Sequence, residues 1–268
     1  MTLPAALFAI TIFGIHFGGS PMLKSTEHFS IPVTQQLPLD VRTNSGDITV
    51  RGGTQPEIEV TVIKRAPTQA QLAQMHVARR IGARAIHLAT VFQHGCWWNC
   101  GDISFQITLP AKTALTLHTN SGDVRVRAMS ASVGASTSSG DIYVDGAAAE
   151  RSDVVNLSDE SGDITLRDIG GTIAAETSSG DVSLRDASTS ALTRAKLSSS
   201  SGDISLFVPR NPSIRLDART SSGSIRTNLG IRVRGQYAAE RAAAQLGTGR
   251  IQVHLSTSSG DITIDGAQ

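Results

Sequence analysis

Seven aspartates recur in one setting along this chain. Asp47, Asp123, Asp141, Asp163, Asp181, Asp203 and Asp261 each follow Ser-Gly and precede Ile or Val. Carboxylates stacked at successive corners would offer oxygen ligands to Ca²⁺, as in Gly- and Asp-rich rolls. Those rolls gather several ligands around one ion with a nine-residue period. Here one carboxylate arrives per roughly 20 residues, and Ser224 replaces it in the seventh of the eight copies. An ion is therefore not needed at the corner. Capping of backbone N–H groups by Asp and Ser side chains is the simpler chemistry, and no metal or cofactor is expected.

A second group is His94, Cys96 and Cys100, spaced H-x-C-x₃-C around Trp97-Trp98. Zinc would want a fourth ligand and other spacings, and the order does not match c-type haem attachment. In an exported protein the two cysteines would form a local disulfide pinning the Trp-bearing loop; free thiols and a metal are the alternatives. Trp97 and Trp98 are the candidate contact for a partner, or else a satellite cluster covering a sheet end. A third group is Arg167, Asp168, Arg185 and Asp186. These would be neighbours on an outer face if the chain were a polysaccharide-cleaving β-helix, or solvated sheet charges if it were not. Signatures of a nucleophile elbow, zinc protease, P-loop or dinucleotide site are absent.

What positions these residues is a repeat. TNSGDITVRG at 43 returns as TNSGDVRVRA, TSSGDIYVDG, DESGDITLRD, TSSGDVSLRD, SSSGDISLFV, TSSGSIRTNL and TSSGDITIDG. The corner glycines are Gly46, Gly122, Gly140, Gly162, Gly180, Gly202, Gly223 and Gly260. Five and seven residues before each lies an apolar side chain, as in Leu157/Val155. Two and four residues after lies another pair, as in Ile164/Leu166, and only Thr227 breaks the rule. The residues between are polar, among them Ser158, Thr165, Ser183 and Tyr143. This period of two predicts a half-buried strand, a Ser-Gly-Asp corner and a second strand in every unit. Glycine would supply positive φ at the corner.

Such units cannot bury a face alone and must stack, which predicts an all-β, single-stranded parallel β-helix or β-solenoid-like repeat domain. About thirty inward aliphatic side chains, at roughly 1.5–3 kcal/mol for each larger one, offset the ordering cost. Intervals between corners run 18, 22, 18, 22 and 21 from Gly122 to Gly223. Two units per 40-residue coil explain that alternation better than one unit per coil. Asn99–Phe105 reads as a degenerate ninth unit with Gly101-Asp102-Ile103 as its corner, and Gly247–Ile251 as a tenth. Residues 67–82 carry helical spacing, with Thr68 as N-cap and Gly82 as the stop, so one inserted α-helix is expected near 67–82. Ile58–Lys64 and Ala85–Phe92 read as strands, and Ala-rich Tyr237–Leu246 as a short helix or long loop.

The net charge is +1, so no strong overall field points to nucleic acid or an anionic membrane. Leu3–Gly19 is a mostly apolar run suited to a signal peptide or short membrane anchor. No Lys or Arg precedes it and no Ala-x-Ala-like site follows. A buried strand pair packed against the domain, or a mis-set start codon, is the alternative. The expected organisation is an apolar N-terminal segment over 1–27 and one repeat domain over 28–268.

The recurring SGDI phrase, the TNSGDITVRG opening, the strand-helix-strand insertion and the closing GTGRIQVHLSTSSGDI resemble the bacterial "putative adhesin" family with β-strand repeats, a domain of unknown function. The resemblance covers roughly residues 28–266. It implies a β-helix-like fold, a cell-envelope setting, sometimes a role in envelope stress, and no catalytic residues. The expectation is a non-enzymatic envelope protein, exported or membrane-anchored, binding an unknown envelope component, surface or protein. It would not bind nucleic acid, and would touch a membrane only through its N-terminal segment. A polysaccharide-active β-helix and a passive spacer are the alternatives.

Overall fold

The computed structural model describes residues 13–14, 22–33, 35–92, 101–147, 150–185, 191–209, 212–236 and 239–266. Most of the apolar N-terminal run lies outside them, although a strand already begins at Leu23, within the segment assigned to 1–27.

Among the described residues, two sheets of twelve strands face each other across an aliphatic core. Each repeat gives its pre-corner strand to one sheet and its post-corner strand to the other. Val154–Ser161 pairs in parallel with Val133–Ser139 and Gly171–Ser179, while Ile164–Ile169 pairs with Ile142–Ala147 and Val182–Arg185. Alternation decides which side chains enter. In the Gly162 coil Val155, Leu157, Ile164 and Leu166 are at most 3% exposed, while Ser158 and Thr165 look outward. Identical positions stack in register from coil to coil, so branched aliphatics fill the thin interior.

The stack has one unit per coil, not two. The 18/22 alternation arises opposite the corner, where the connections from Ala147 to Val154 and from Arg185 to Leu192 are longer than that from Ile169 to Gly171. Nor do the coils stack in chain order. The last repeat, Ile251–Ser259 with Ile262–Gly266, slides between the Gly202 and Gly223 coils.

The helix is shorter than its sequence pattern. It covers Gln69–Gln74, starts where Thr68 Oγ1 accepts the Gln71 N–H, and buries Leu72. Met75–Ile81 continues as a strand antiparallel to Ile86–Phe92, with Gly82 in the turn between them. An unfilled edge overrides helical spacing in a segment containing β-branched Val77 and Ile81. The same force makes Ala239–Leu246 a strand rather than a helix or loop. It pairs antiparallel with Ile214–Ser222 on one side and Val233–Gln236 on the other. The expected strands are present as Glu57–Ala66 and Ile86–Phe92.

The ninth unit is displaced by two residues. Phe105, not Ile103, pairs with Ile48, so Ile103-Ser104-Phe105 takes the corner positions and Asp102 instead meets Arg65 at 3.0 Å. Gly247 and Gly249 form the turn into Ile251–Ser259 rather than a coil of their own.

Candidate functional site

The corner residues form three ladders running along the stack. In the first, each carboxylate accepts from the backbone of the next coil. Asp47 Oδ1 accepts the Asp123 N–H at 3.0 Å, and the relay continues through Asp141, Asp163, Asp181, Asp203 and Asp261 to the Ser224 N–H. Ser104 Oγ accepts from Asp47 at the head of the row. Ser224 ends it, which explains the missing aspartate: its coil is last in space, and no further amide needs an acceptor. The capping is thus between coils rather than within one turn. Its Ser224 bond, ahead of Arg226, holds the Asp261 carboxyl below the usual range.

In the second ladder, the residue three before each glycine donates to the glycine carbonyl of the preceding coil. Thr119 bonds Gly46 O at 3.1 Å, Thr137 bonds Gly122 O, Thr177 bonds Gly162 O, and Ser199 bonds Gly180 O. Thr257 and Thr220 do the same to Gly202 and Gly260. Asp159 occupies this position in the Gly162 coil, 4% exposed. Burial, the largest influence, pushes its carboxyl up; the Ser161 and Glu160 amides oppose this, and Asp141 and Asp163 add repulsion.

The third ladder is the glycines, and positive φ is only part of their need. Gly46 has φ of +121°, but Gly162 is outside the left-handed region. At Gly162 the constraint is contact: a Cβ would stand 2.2 Å from Gly140 O. Gly223, likewise outside it, would meet Gly260 O at 2.0 Å. Among the described residues no three His, Cys, Asp or Glu side chains group as a metal site.

Outward from the post-corner sheet, two rows face solvent. One is Thr49, Arg125, Tyr143, Thr165, Ser183, Ser205 and Thr263; the other is Arg51, Arg127, Asp145, Arg167, Arg185, Phe207 and Asp265. Arg167 and Arg185 are direct neighbours, as the enzyme reading requires. Both border a shallow depression of about 400 Å³ with Ser205, exposed Phe207, Thr263 and Asp265. Asp168 is exposed at the coil bend with φ of +48°. Asp186, His94, Cys96, Trp97, Trp98 and Cys100 lie outside the described residues.

Sequence reasoning passed over Phe207 and Asp159. Each carried a signal: SGDISLFV has the lone aromatic of its row, and DESGDI has an acid where its neighbours have Thr or Ser. It also passed over the arginines around Asp217, whose carboxyl Arg219, and then Arg241, hold below the usual range. They meet only through long-range pairing.

With this geometry goes a class of protein. The Toastrack DUF4097 family model matches residues 97–265, and the chain belongs to that family, a domain of unknown function. Among solved structures it is similar to a "putative cell adhesion protein" from Clostridium sporogenes, 13% identical, covering 91% of this chain and 100% of that one, with a TM-score of 0.48. It is also similar to a "putative adhesin" from Bacteroides fragilis, 14% identical, covering 90% of this chain and 97% of that one, with a TM-score of 0.43. No curated protein matches the chain.

Proposed function

We propose that the chain is a non-enzymatic, adhesin-like protein of the cell envelope that presents its outward sheet faces to a surface or partner. The observation that supports this most is the arrangement of its polar surface. The hydroxyls, arginines and Phe207 lie in rows across open sheet faces, which suits an extended contact. Hydrolysis would need an acid and a base converging on one bond. Asp159, the carboxyl that burial pushes upward, lies beneath a corner where no substrate reaches it. The N-terminal segment 1–27 as an export or anchoring signal, and a Cys96–Cys100 disulfide, belong to the same reading. Among the described residues no helix is long and apolar enough to cross a membrane.

Binding without turnover is the test. The purified protein should cosediment with envelope fragments and release no new reducing ends from envelope polysaccharide. Cleavage that Asp168→Asn abolishes would make it an enzyme, and failure to cosediment would leave a passive spacer.

A further inference from the structure

The overall charge of +1 conceals a segregation along the stack. Between Ser213 and Arg250, seven arginines stand against two carboxylates, Asp217 and Glu240. Glu240 is turned away from the others, accepting the Ile225 N–H at the edge of the opposite sheet. The last three strands of the pre-corner sheet then bring arginines together by register. Arg219 lies directly opposite Arg241, and Arg241 directly opposite Arg234, while Arg232 precedes Arg234 by two on the same face. Like charges opposite one another across paired strands are destabilising.

One acid sits among them, and it is saturated. Asp217 Oδ1 accepts from Arg219 Nε at 3.1 Å and Arg241 Nε at 3.2 Å, while Oδ2 accepts from Arg219 Nη2 at 2.7 Å and Arg241 Nη2 at 3.3 Å. Arg232 and Arg234 have no ion-pair partner among the described residues. Arg232, Arg234 and Arg241 line a depression of about 580 Å³ whose lining includes Ala243 and Ala244 and no carboxylate. Small side chains there leave room, and the guanidinium groups of Arg232 and Arg234 supply forked donors that no acceptor among the described residues uses up, while Arg241 gives Nε and Nη2 to Asp217 and adds its charge at the rim.

We propose that this trough, bounded by Arg232, Arg234 and Arg241, is a binding site for a phosphate group. The planar fork of arginine matches phosphate oxygens two at a time, and several converging forks suit a tetrahedral, multiply charged anion better than a single carboxylate. The seat is open, so the phosphate enters as the charged end of a larger body. A lipid headgroup and a small phosphorylated molecule share that chemistry. The site does not depend on where the protein resides, and it would give the domain an anion contact separate from its N-terminal segment.

The test uses the full chain and two probes at constant ionic strength. Glycerol 3-phosphate is titrated calorimetrically against a chloride control, and cosedimentation is measured with phosphatidic acid and phosphatidylcholine vesicles. Wild type should bind glycerol 3-phosphate saturably or sediment with phosphatidic acid vesicles alone. The double variant Arg232→Gln/Arg234→Gln should weaken that binding at least tenfold, while Arg80→Gln/Arg84→Gln at the opposite end of the same sheet leaves it unchanged. The double variant should also melt no lower than wild type, because neither Arg232 nor Arg234 has an ion-pair partner among the described residues to lose and their removal relieves repulsion; this separates a ligand site from a structural one. Vesicle binding would assign the phosphate to a lipid, and soluble binding alone to a small molecule. If neither probe binds in a manner that depends on Arg232 and Arg234, the proposal is overturned.

Discussion

Replacing Asp159 by Thr should stabilise the protein, although it removes a charged residue beside a recurring corner phrase. Thr137 and Thr177 flank Asp159 in register, and both donate to the glycine carbonyl one coil back. The acceptor facing Asp159 by the same rule is Gly140 O, and an ionised carboxylate has no proton to give it. Asp159 Oδ1 accepts the Ser161 N–H at 3.1 Å, but Oδ2 is buried without a partner. The local spacing reflects this. Gly140 N to Ser161 O is 3.4 Å, against 2.9 Å for Gly122 N to Ser139 O and 3.0 Å for Gly162 N to Ser179 O. An unsatisfied buried acceptor costs about 1–3 kcal/mol, and the new hydroxyl bond adds about 1 kcal/mol. With the Ser161 contact given up in exchange, Asp159→Thr should gain about 1–3 kcal/mol at pH 7.5. That corresponds to a rise in melting temperature of roughly 2–4 °C per kcal/mol. The sign with pH follows from burial, which raises the folded carboxyl's pKa. The stability Asp159 contributes is fully present below its unfolded pKa of about 3.9, where its proton can reach Gly140 O, and is lost as pH rises through the folded value. The advantage of the variant should therefore be small near pH 4 and grow above it. Urea denaturation across that range decides. A variant less stable than wild type at pH 7.5, or an advantage that ignores pH, would refute the reasoning.

Ile164→Asp should abolish cooperative melting by burying an unpaired charge, while Thr165→Asp should cost about 0.5 kcal/mol or less; equal damage would mean the faces are misassigned. Gly162→Ala should destabilise more than Asp163→Asn in the same melts. The alanine Cβ meets Gly140 O, whereas Asn can still offer Oδ1 to the Asp181 N–H. Millimolar Ca²⁺ should leave the melting temperature unchanged, and a rise of many degrees lost on multiple Asp→Asn replacement would indicate a metal ladder. Thiol labelling should find Cys96 and Cys100 blocked until reduction, if the oxidising compartment is correct.

The coil itself was legible because strict alternation around a fixed corner leaves one way to bury Leu157 and Ile164 together. Its order was not. Alternation says which face a strand buries, never which strand is its neighbour, so the insertion of Ile251–Gly266 before the terminal coil was hidden. Ser224 was the trace of it, read only as a sign that the corner needs no ion. Local spacing also misled at Met75–Ile81 and Ala239–Leu246, where an open sheet edge outweighed helical preference. The arginine trough was invisible for the same reason: Arg219, Arg234 and Arg241 are separated in sequence and meet only through antiparallel register. Gly162 shows a subtler gap, since its need comes from the carbonyl of another coil rather than from its own φ.

The central claim is an envelope protein that binds through its outer faces, and location tests it most directly. Cells expressing the full chain with a C-terminal tag are fractionated, and intact cells or spheroplasts are exposed to protease before detection. The account predicts the tag in the envelope fraction and its loss to protease applied from outside the cytosol. Tag recovered in the cytosol, protected from protease, with Cys96 and Cys100 freely reactive, would contradict it.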